Sequence, residues 1–382
     1  MNRIYFDNNA TTPIYPAVRD AILPYLEDLF GNPSSAHRIG EAARHGVETA
    51  RGQVADLLAT SPARIFFTSG GSEANNMAIF SAAFANPAKK HLVSSVVEHP
   101  SVLQPLAWLA GQGFEIELLE VDEKGRLDLD RLRKVIRDDT ALVSLMGANN
   151  ETGILWPLAE IGSICRERGS LFHSDVVQML GKEKIEAGSL PVDYLAMAAH
   201  KLHGPKGVGA LYVSRTAPLR PLIHGAGQEN GKRAGTENTP GLAGFGMACQ
   251  LAGAALNEYR PKLAPLRDRL EEGIIAIDPH AMIMGSGQQR LSNTVNVCFR
   301  HCSSAGLIQE FDERSIAVSG HSACHSGDLD PSHVLSAMQV PETHLHGSLR
   351  ISLSAGSTMA EVERFLDLLP EIIRKTRQDF AD

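Results

Sequence analysis

The chain has 382 residues, 43% hydrophobic and 21% charged, a balance that suits a globular protein of two domains with a large buried core. A net charge of -8 without any lysine- or arginine-rich run argues against nucleic acid or an anionic membrane as the main partner; no membrane-spanning apolar run and no signal peptide at 1–7 are found, so the cytoplasm is expected. Five scattered cysteines, Cys165, Cys249, Cys298, Cys302 and Cys324, argue against a disulfide framework, and Cys298 and Cys302 lack the second ligand pair of a metal site.

From about residue 60 to 215, short apolar β-rich runs alternate with amphipathic stretches. The runs are 64–68, 91–97, 116–121, 141–146, 170–174, 194–197 and 208–213. Several are apolar on both faces, as strands covered by helices on both sides must be. Helices are predicted at 74–85, 102–111, 127–137 and 158–168. The alternation predicts an α/β fold with a mostly parallel, seven-stranded sheet. After about residue 240 a long helical segment, 241–275, leads to strand candidates at 292–299, 317–319 and 348–352 and a helix at 359–377. This reads as a smaller α+β C-terminal domain. The expected division is 14–255 for the large domain, with 1–13 and 256–382 forming the small one. The basic run 372–377 reads as a solvated helix face.

In parallel α/β sheets ligands gather at the carboxyl ends of strands, and the informative polar residues fall there. Thr68-Ser69-Gly70-Gly71-Ser72 leaves a strand and enters a helix near Glu73, where backbone N–H groups and the helix dipole suit a phosphate. The same turn also reads as a plain strand-to-helix connection with Ser72 as N-cap. His99 ends another strand, where it either stacks on a ring and moves protons or is simply structural. Asn150 follows a third strand. Asp175 ends the run Leu171-Phe172-His173-Ser174, placed either to protonate a ring nitrogen or to cap a helix. Lys201 sits between an apolar strand and a Gly/Pro turn; burial there favours the neutral amine needed for a Schiff base, whereas exposure makes it an ordinary loop lysine. Taken together, the strand ends describe a site for a flat, anionic, nitrogen-containing ring. A separate small polar run, 318–327, carries Cys324 between His321 and His325, either a reactive thiol or an incidental loop cysteine.

Ordered motifs then span nearly the whole chain. They include Tyr5-Phe6-Asp7-Asn8-Asn9-Ala10-Thr11-Thr12-Pro13, Gly31-Asn32-Pro33-Ser34-Ser35 and Asn149-Asn150-Glu151-Thr152-Gly153. His200-Lys201, Arg233-Ala234-Gly235-Thr236-Glu237-Asn238, Ser322-Ala323-Cys324, Pro331-Ser332-His333-Val334-Leu335 and Leu349-Arg350-Ile351-Ser352-Leu353 complete the set. In these the sequence resembles the cysteine desulfurases, pyridoxal-phosphate (PLP) enzymes of the class V aminotransferase group with the fold-type I architecture, and looks closest to the nitrogen-fixation-type branch. The resemblance implies that Lys201 forms the Schiff base with PLP and later moves the substrate α-proton. It implies Asp175 as partner of the ring nitrogen and His99 as the stacked residue. Gln178 and Asn150 match groups near the ring's phenolic oxygen, Asn150 also near substrate. Gly71, Ser72 and His200 match phosphate contacts, and Thr236 matches a phosphate ligand lent by a neighbouring subunit, hence a homodimer with shared sites. Arg350 and Asn32 match the clamp on the substrate carboxylate, and a planar guanidinium suits that role. Cys324 matches the nucleophile that takes sulfur from L-cysteine as a persulfide, leaving alanine.

Two positions depart from the family pattern. Ala198 stands where the family usually has Ser, which removes one hydroxyl from the phosphate, a loss of about 1 kcal/mol. His321 stands where Gly is common, beside the cysteine segment. Neither removes a reacting group. A lyase acting on selenocysteine or cysteine sulfinate is the related alternative, distinguished by its smaller dependence on Cys324. An iron–sulfur scaffold or another sulfur-acceptor protein is the implied partner, and the pathway it serves is open.

Overall fold

The computed structural model describes residues 3–320 and 331–378. Its strands in chain order are β1 (Ile4–Tyr5), β2 (Ile65–Thr68), β3 (His91–Ser95), β4 (Glu115–Leu119), β5 (Thr140–Ser144) and β6 (Leu171–Asp175). There follow β7 (Tyr194–Ala198), β8 (Gly209–Val213), β9 (Met282–Ile283), β10 (Thr294–Cys298), β11 (Ile316–Ala317) and β12 (Ser348–Ser352).

The seven runs anticipated between residues 60 and 215 form one seven-stranded sheet in the order β2-β8-β7-β6-β5-β3-β4. All pairs are parallel except those of β8, which runs antiparallel to both β7 and β2. The exception has a local cause: only residues 199–208 separate β7 from β8, and parallel pairing needs a crossover of about a dozen residues or more. Four of the connections elsewhere are helices, Gly71–Ala83, Pro100–Ala110, Leu129–Val135 and Leu158–Glu167, while residues 176–193 join β6 to β7 without one.

Alternation along the strands builds a core on each face. On β7, Leu195 and Met197 enter one apolar cluster while Tyr194 and Ala196 enter the other; on β8, Ala210 and Tyr212 oppose Leu211 and Val213 in the same way. The helices Pro16–Leu26 and Arg38–Leu57, absent from the sequence expectations, pack beside the first of these clusters.

A second core assembles from the C-terminal part, around the antiparallel sheet β12-β10-β9 and the parallel pair β1-β11. Phe311 and Phe365 stack there with centroids 4.4 Å apart, and Phe6 joins them from the other end of the chain. The 39-residue helix Thr239–Ile277 ties the two cores: Leu242, Phe245 and Cys249 bury in the first, Leu263, Leu270 and Ile274 in the second. We propose 14–255 against 1–13 with 256–382 as the folding units, although Met284, Cys298, Val334, Leu335, Met338, Val340 and Leu345 bury in the first core. Among the described residues no helix is long and apolar enough to cross a membrane.

Candidate active site

A cavity of about 210 Å³ opens where the carboxyl ends of the central strands meet β12. Gly71, Ser72, His99, Asn150, Asp175, Gln178, His200, Lys201 and Arg350 all line it, as does Ala198. Asn32 and Thr236 do not: both are exposed, and the Asn32 side chain accepts a hydrogen bond from its own turn at Ser34. His321, Cys324 and His325 lie outside the described residues.

At one end of the cavity the chain turns from β2 into the helix Gly71–Ala83. Gly70 is the N-cap, with φ 156° and ψ -178°, a region nearly restricted to glycine. The helix therefore starts two residues earlier than expected, and Ser72 lies inside its first turn rather than capping it. A Cβ on Gly209 would fall 2.6 Å from the Gly70 Cα, so β8 and this turn approach as closely as backbone allows. Backbone N–H groups at such a helix start suit an anion. A polar hollow of about 360 Å³ shares Gly71, Ser72 and His200 with the cavity and adds Lys206. Burial, then the charges of Lys201 and Lys206, hold His200 down to about 4, so its ring is neutral near pH 7. In the helix's first turn Glu73 pairs with Arg233 at 2.9 Å. Burial alone would raise the Glu73 carboxyl, but hydrogen bonds from Arg233 and Ser69 outweigh it and lower it.

A hydrogen-bonded chain crosses the middle of the site. Asn75 Nδ2 donates to Asp175 Oδ2 at 2.7 Å and to Ser101 Oγ at 2.8 Å. Ser101 then offers both its hydroxyl (2.7 Å) and its backbone N–H (3.1 Å) to His99 Nδ1. This network assigns the His99 proton to Nε2. The backbone N–H of Val177 donates to Asp175 Oδ1 at 2.9 Å. Asp175 thus caps the turn that follows β6 and also lines the cavity. Asn75 and Ser101 escaped the sequence reading because a polar residue inside a helical stretch looks like its solvated face; Asn75 is in fact fully buried.

Lys201 lies one turn beyond β7, in the short helical turn Ala199–Lys201. Its Nζ donates to the carbonyls of Asn9 and Ala10 at 2.6 and 2.7 Å. Gln178 Nε2 donates to the same Asn9 carbonyl at 3.0 Å. The segment around Asn9 is itself tied to the lysine's turn, since Thr12 Oγ1 donates to the His200 carbonyl at 2.9 Å and accepts from the His203 N–H at 2.8 Å.

The opposite wall is carried by β12. Arg350 is 1% exposed; its guanidinium donates to Asp7 Oδ1 at 3.0 Å and to the Asn150 carbonyl at 3.1 Å. Its Nε has no partner among the described residues. Burial pushes the Asp7 carboxyl up, and Arg350 offsets only part of that rise. A buried guanidinium with unused donor capacity can bind a carboxylate bidentately.

Profile comparison matches residues 4–365 to the class-V aminotransferases. Over 375 residues the chain is 46% identical to the cysteine desulfurase IscS of Methanosarcina thermophila, covering 98% of this chain and 93% of the relative. It is 42% identical to the cysteine desulfurase NifS of Azotobacter vinelandii, over 99% of this chain and 94% of that one. The chain belongs to the cysteine desulfurases of the class-V aminotransferase family. A solved NifS-like protein superposes with a TM-score of 0.92 at 36% identity, covering 98% of this chain and 100% of that one. The structure of SspA in complex with cysteine superposes at 0.80 with 34% identity, over 94% and 100% of the two chains.

In this desulfurase the described cysteines are poor nucleophiles. Cys165, Cys249, Cys298 and Cys302 are all free and buried, and burial raises every one of their thiols, Cys165 and Cys298 to about 12. A thiol so raised supplies almost no thiolate near pH 7. The chain on either side of residues 321–330 is fixed beside the cavity. Ser319 exchanges backbone hydrogen bonds with Arg350 at 2.7 and 3.2 Å. Ser332 Oγ donates to Glu151 at 2.5 Å, and His333 Nε2 to the carbonyl of Glu98 at 3.0 Å, next to His99.

Proposed function

We propose that the chain removes sulfur from L-cysteine with PLP as cofactor, passing the sulfur to Cys324 as a persulfide and releasing L-alanine. The observation that supports this most is the meeting of Lys201, Asp175 and Arg350 in one cavity. They are three chemically different groups from distant parts of the chain, and this reaction needs all of them.

The residues present fit PLP. The glycine turn and helix start at Gly71, with Ser72 and neutral His200, would hold the phosphate. Asp175, fixed by Asn75 and Val177, would face the ring nitrogen, with His99 against the ring and Gln178 and Asn150 near its phenolic oxygen. When bound, PLP supplies an electron sink for the substrate α-carbon. Lys201 would carry the cofactor and, once released, take the α-proton at Nζ, the carbonyls of Asn9 and Ala10 guiding that amine. Arg350 would orient the substrate carboxylate in place of part of its contact with Asp7. The Cys324 thiolate would attack the substrate sulfur, forming the S–S bond as the bond from sulfur to Cβ breaks. Cys324 follows Ser319, which is bonded to Arg350 beside the cavity, by five residues, so even fully extended chain carries it no more than roughly 18 Å from that anchor.

Thr236, exposed in the single chain, would complete the phosphate site of a second copy in a homodimer, and Asn32 would assist the carboxylate clamp. A sulfur-acceptor protein such as an iron–sulfur scaffold would take the persulfide, in the cytoplasm. The test is alanine and sulfide release from L-cysteine with a thiol reductant. Wild type should yield the two in equal amounts and Cys324→Ala almost none. Full activity in Cys324→Ala would favour a selenocysteine or cysteine sulfinate lyase instead.

A further inference from the structure

Lys182 is a buried amine that the reaction as described does not use. It is 6% exposed, and among the described residues no carboxylate pairs with it. Among the described residues its side chain makes one hydrogen bond, from Nζ to Gln178 Oε1 at 3.1 Å. A buried lysine normally has an anionic partner; this one faces cations. Lys182 and Lys201 both line a small hollow of about 60 Å³ on the far side of Lys201 from the cavity. His203, Tyr15 and Tyr259 line the same hollow, and the charge of Arg350 also reaches Lys182. The neighbouring carboxylate, Glu183, is turned away to Arg260 at 2.7 Å.

Two consequences follow from this placement. Protonated Lys182 is a donor only, so it dictates which end of the Gln178 carboxamide faces it. Oε1 turns to Lys182, which leaves Nε2 towards Asn9 on the cavity wall. The second consequence is electrostatic. Two neighbouring amines cannot both hold a proton without mutual penalty, so each favours the neutral form of the other. Burial first, then Lys201 and Arg350, hold Lys182 down to about 7; the influence on Lys201 is reciprocal.

We propose that Lys182 is a positioning residue for the reaction: it orients Gln178 from behind and keeps Lys201 in the amine form needed to bind cofactor and accept a proton. The inference rests on the reading of Lys201 as the cofactor-bearing lysine. The sign is fixed by charge alone. Removing a nearby cation makes protonation at the Lys201 nitrogen easier, so its midpoint moves up in pH.

The experiment is a pH titration of the visible absorption of the Lys201–PLP linkage in the reconstituted holoenzyme, with PLP release measured alongside. Lys182→Met keeps the volume and removes the buried charge, and Lys182→Gln serves as a second neutral variant should the first fail to fold. Both should raise the linkage midpoint by roughly one pH unit or more, a tenfold change in the protonation constant. Lys182→Arg, whose charge persists above pH 7 where Lys182 becomes neutral, should not raise the midpoint. A neutral variant that binds PLP with an unchanged midpoint overturns the inference and leaves the functional reading intact. A wild type that forms no visible linkage, or a Lys201→Ala variant that retains it, overturns the functional reading and this inference with it.

Discussion

The two walls of the cavity solve the same problem in opposite ways. The sheet-side wall, from Gly71 through Asp175 to Lys201, is held by a network of hydrogen bonds, some within a turn and others, like that of Asn75 to Asp175, between distant segments, and its histidine at 200 is neutral near pH 7. The β12 wall rests on a buried ion pair, Arg350 with Asp7, whose partners lie 343 residues apart. In the first wall Asp175, His99 and Lys201 each have hydrogen-bond partners on the protein. The second holds charge in reserve, since Arg350 is nearly inaccessible yet not fully partnered. A buried ion pair is weak evidence of stability; here its position on the cavity is better explained by binding a carboxylate.

The largest effect should break the sheet-side wall at its reacting group. Lys201→Ala should lose the visible cofactor linkage and lower turnover of L-cysteine by at least ~10³-fold. Next is the β12 wall. Arg350→Ala should raise KM and cost about 2–5 kcal/mol in kcat/KM, because it removes the clamp and strands Asp7. Asp7→Asn should do less, and steady-state kinetics on the three proteins separates the two contributions. Asn75→Ala, which cuts the links to both Asp175 and Ser101, should cost about 1–3 kcal/mol in kcat/KM.

The smallest effect concerns stability. Burial, then the Asp175 charge, pushes the Glu98 carboxyl up to about 8. The unfolded chain releases that proton near 4.5, so between these values the folded state binds the extra proton and stability falls as pH rises. Glu98→Gln removes this slope. Its melting temperature should gain on wild type at about pH 8 and show little gain at about pH 5.

The same contrast explains what the sequence revealed. Strand ends were legible because their chemistry is local: Asp175 closes β6, and Lys201 follows β7 by one turn. The seven strands were legible because continuous apolar runs leave little choice. Arg350 was recognisable only by resemblance, since nothing in its neighbourhood announces a partner near the N-terminus. Lys182 follows a glycine in a turn and carries no sequence signal of burial, which comes from distant segments that line its hollow, Tyr15 and Tyr259 among them. The helix Arg38–Leu57 was missed for another reason. Its inner face is Gly40, Ala43, Gly46, Val47 and Ala50, small rather than strongly apolar, and its value lies in close approach. A Cβ on Gly46 would fall 2.4 Å from the Tyr25 ring, and one on Gly246 2.6 Å from the Ala50 Cα. Complementarity of that kind appears only once both helices are in place.

The central claim is that sulfur leaves L-cysteine onto Cys324. The most direct measurement is peptide mass spectrometry of the holoenzyme after a single turnover with L-cysteine, without reductant. The account predicts one added sulfur atom on the peptide containing Cys324, matched by one alanine, and none on those containing Cys165, Cys249, Cys298 or Cys302. Alanine formed with Cys324 unmodified, or sulfur found on another cysteine, would contradict it.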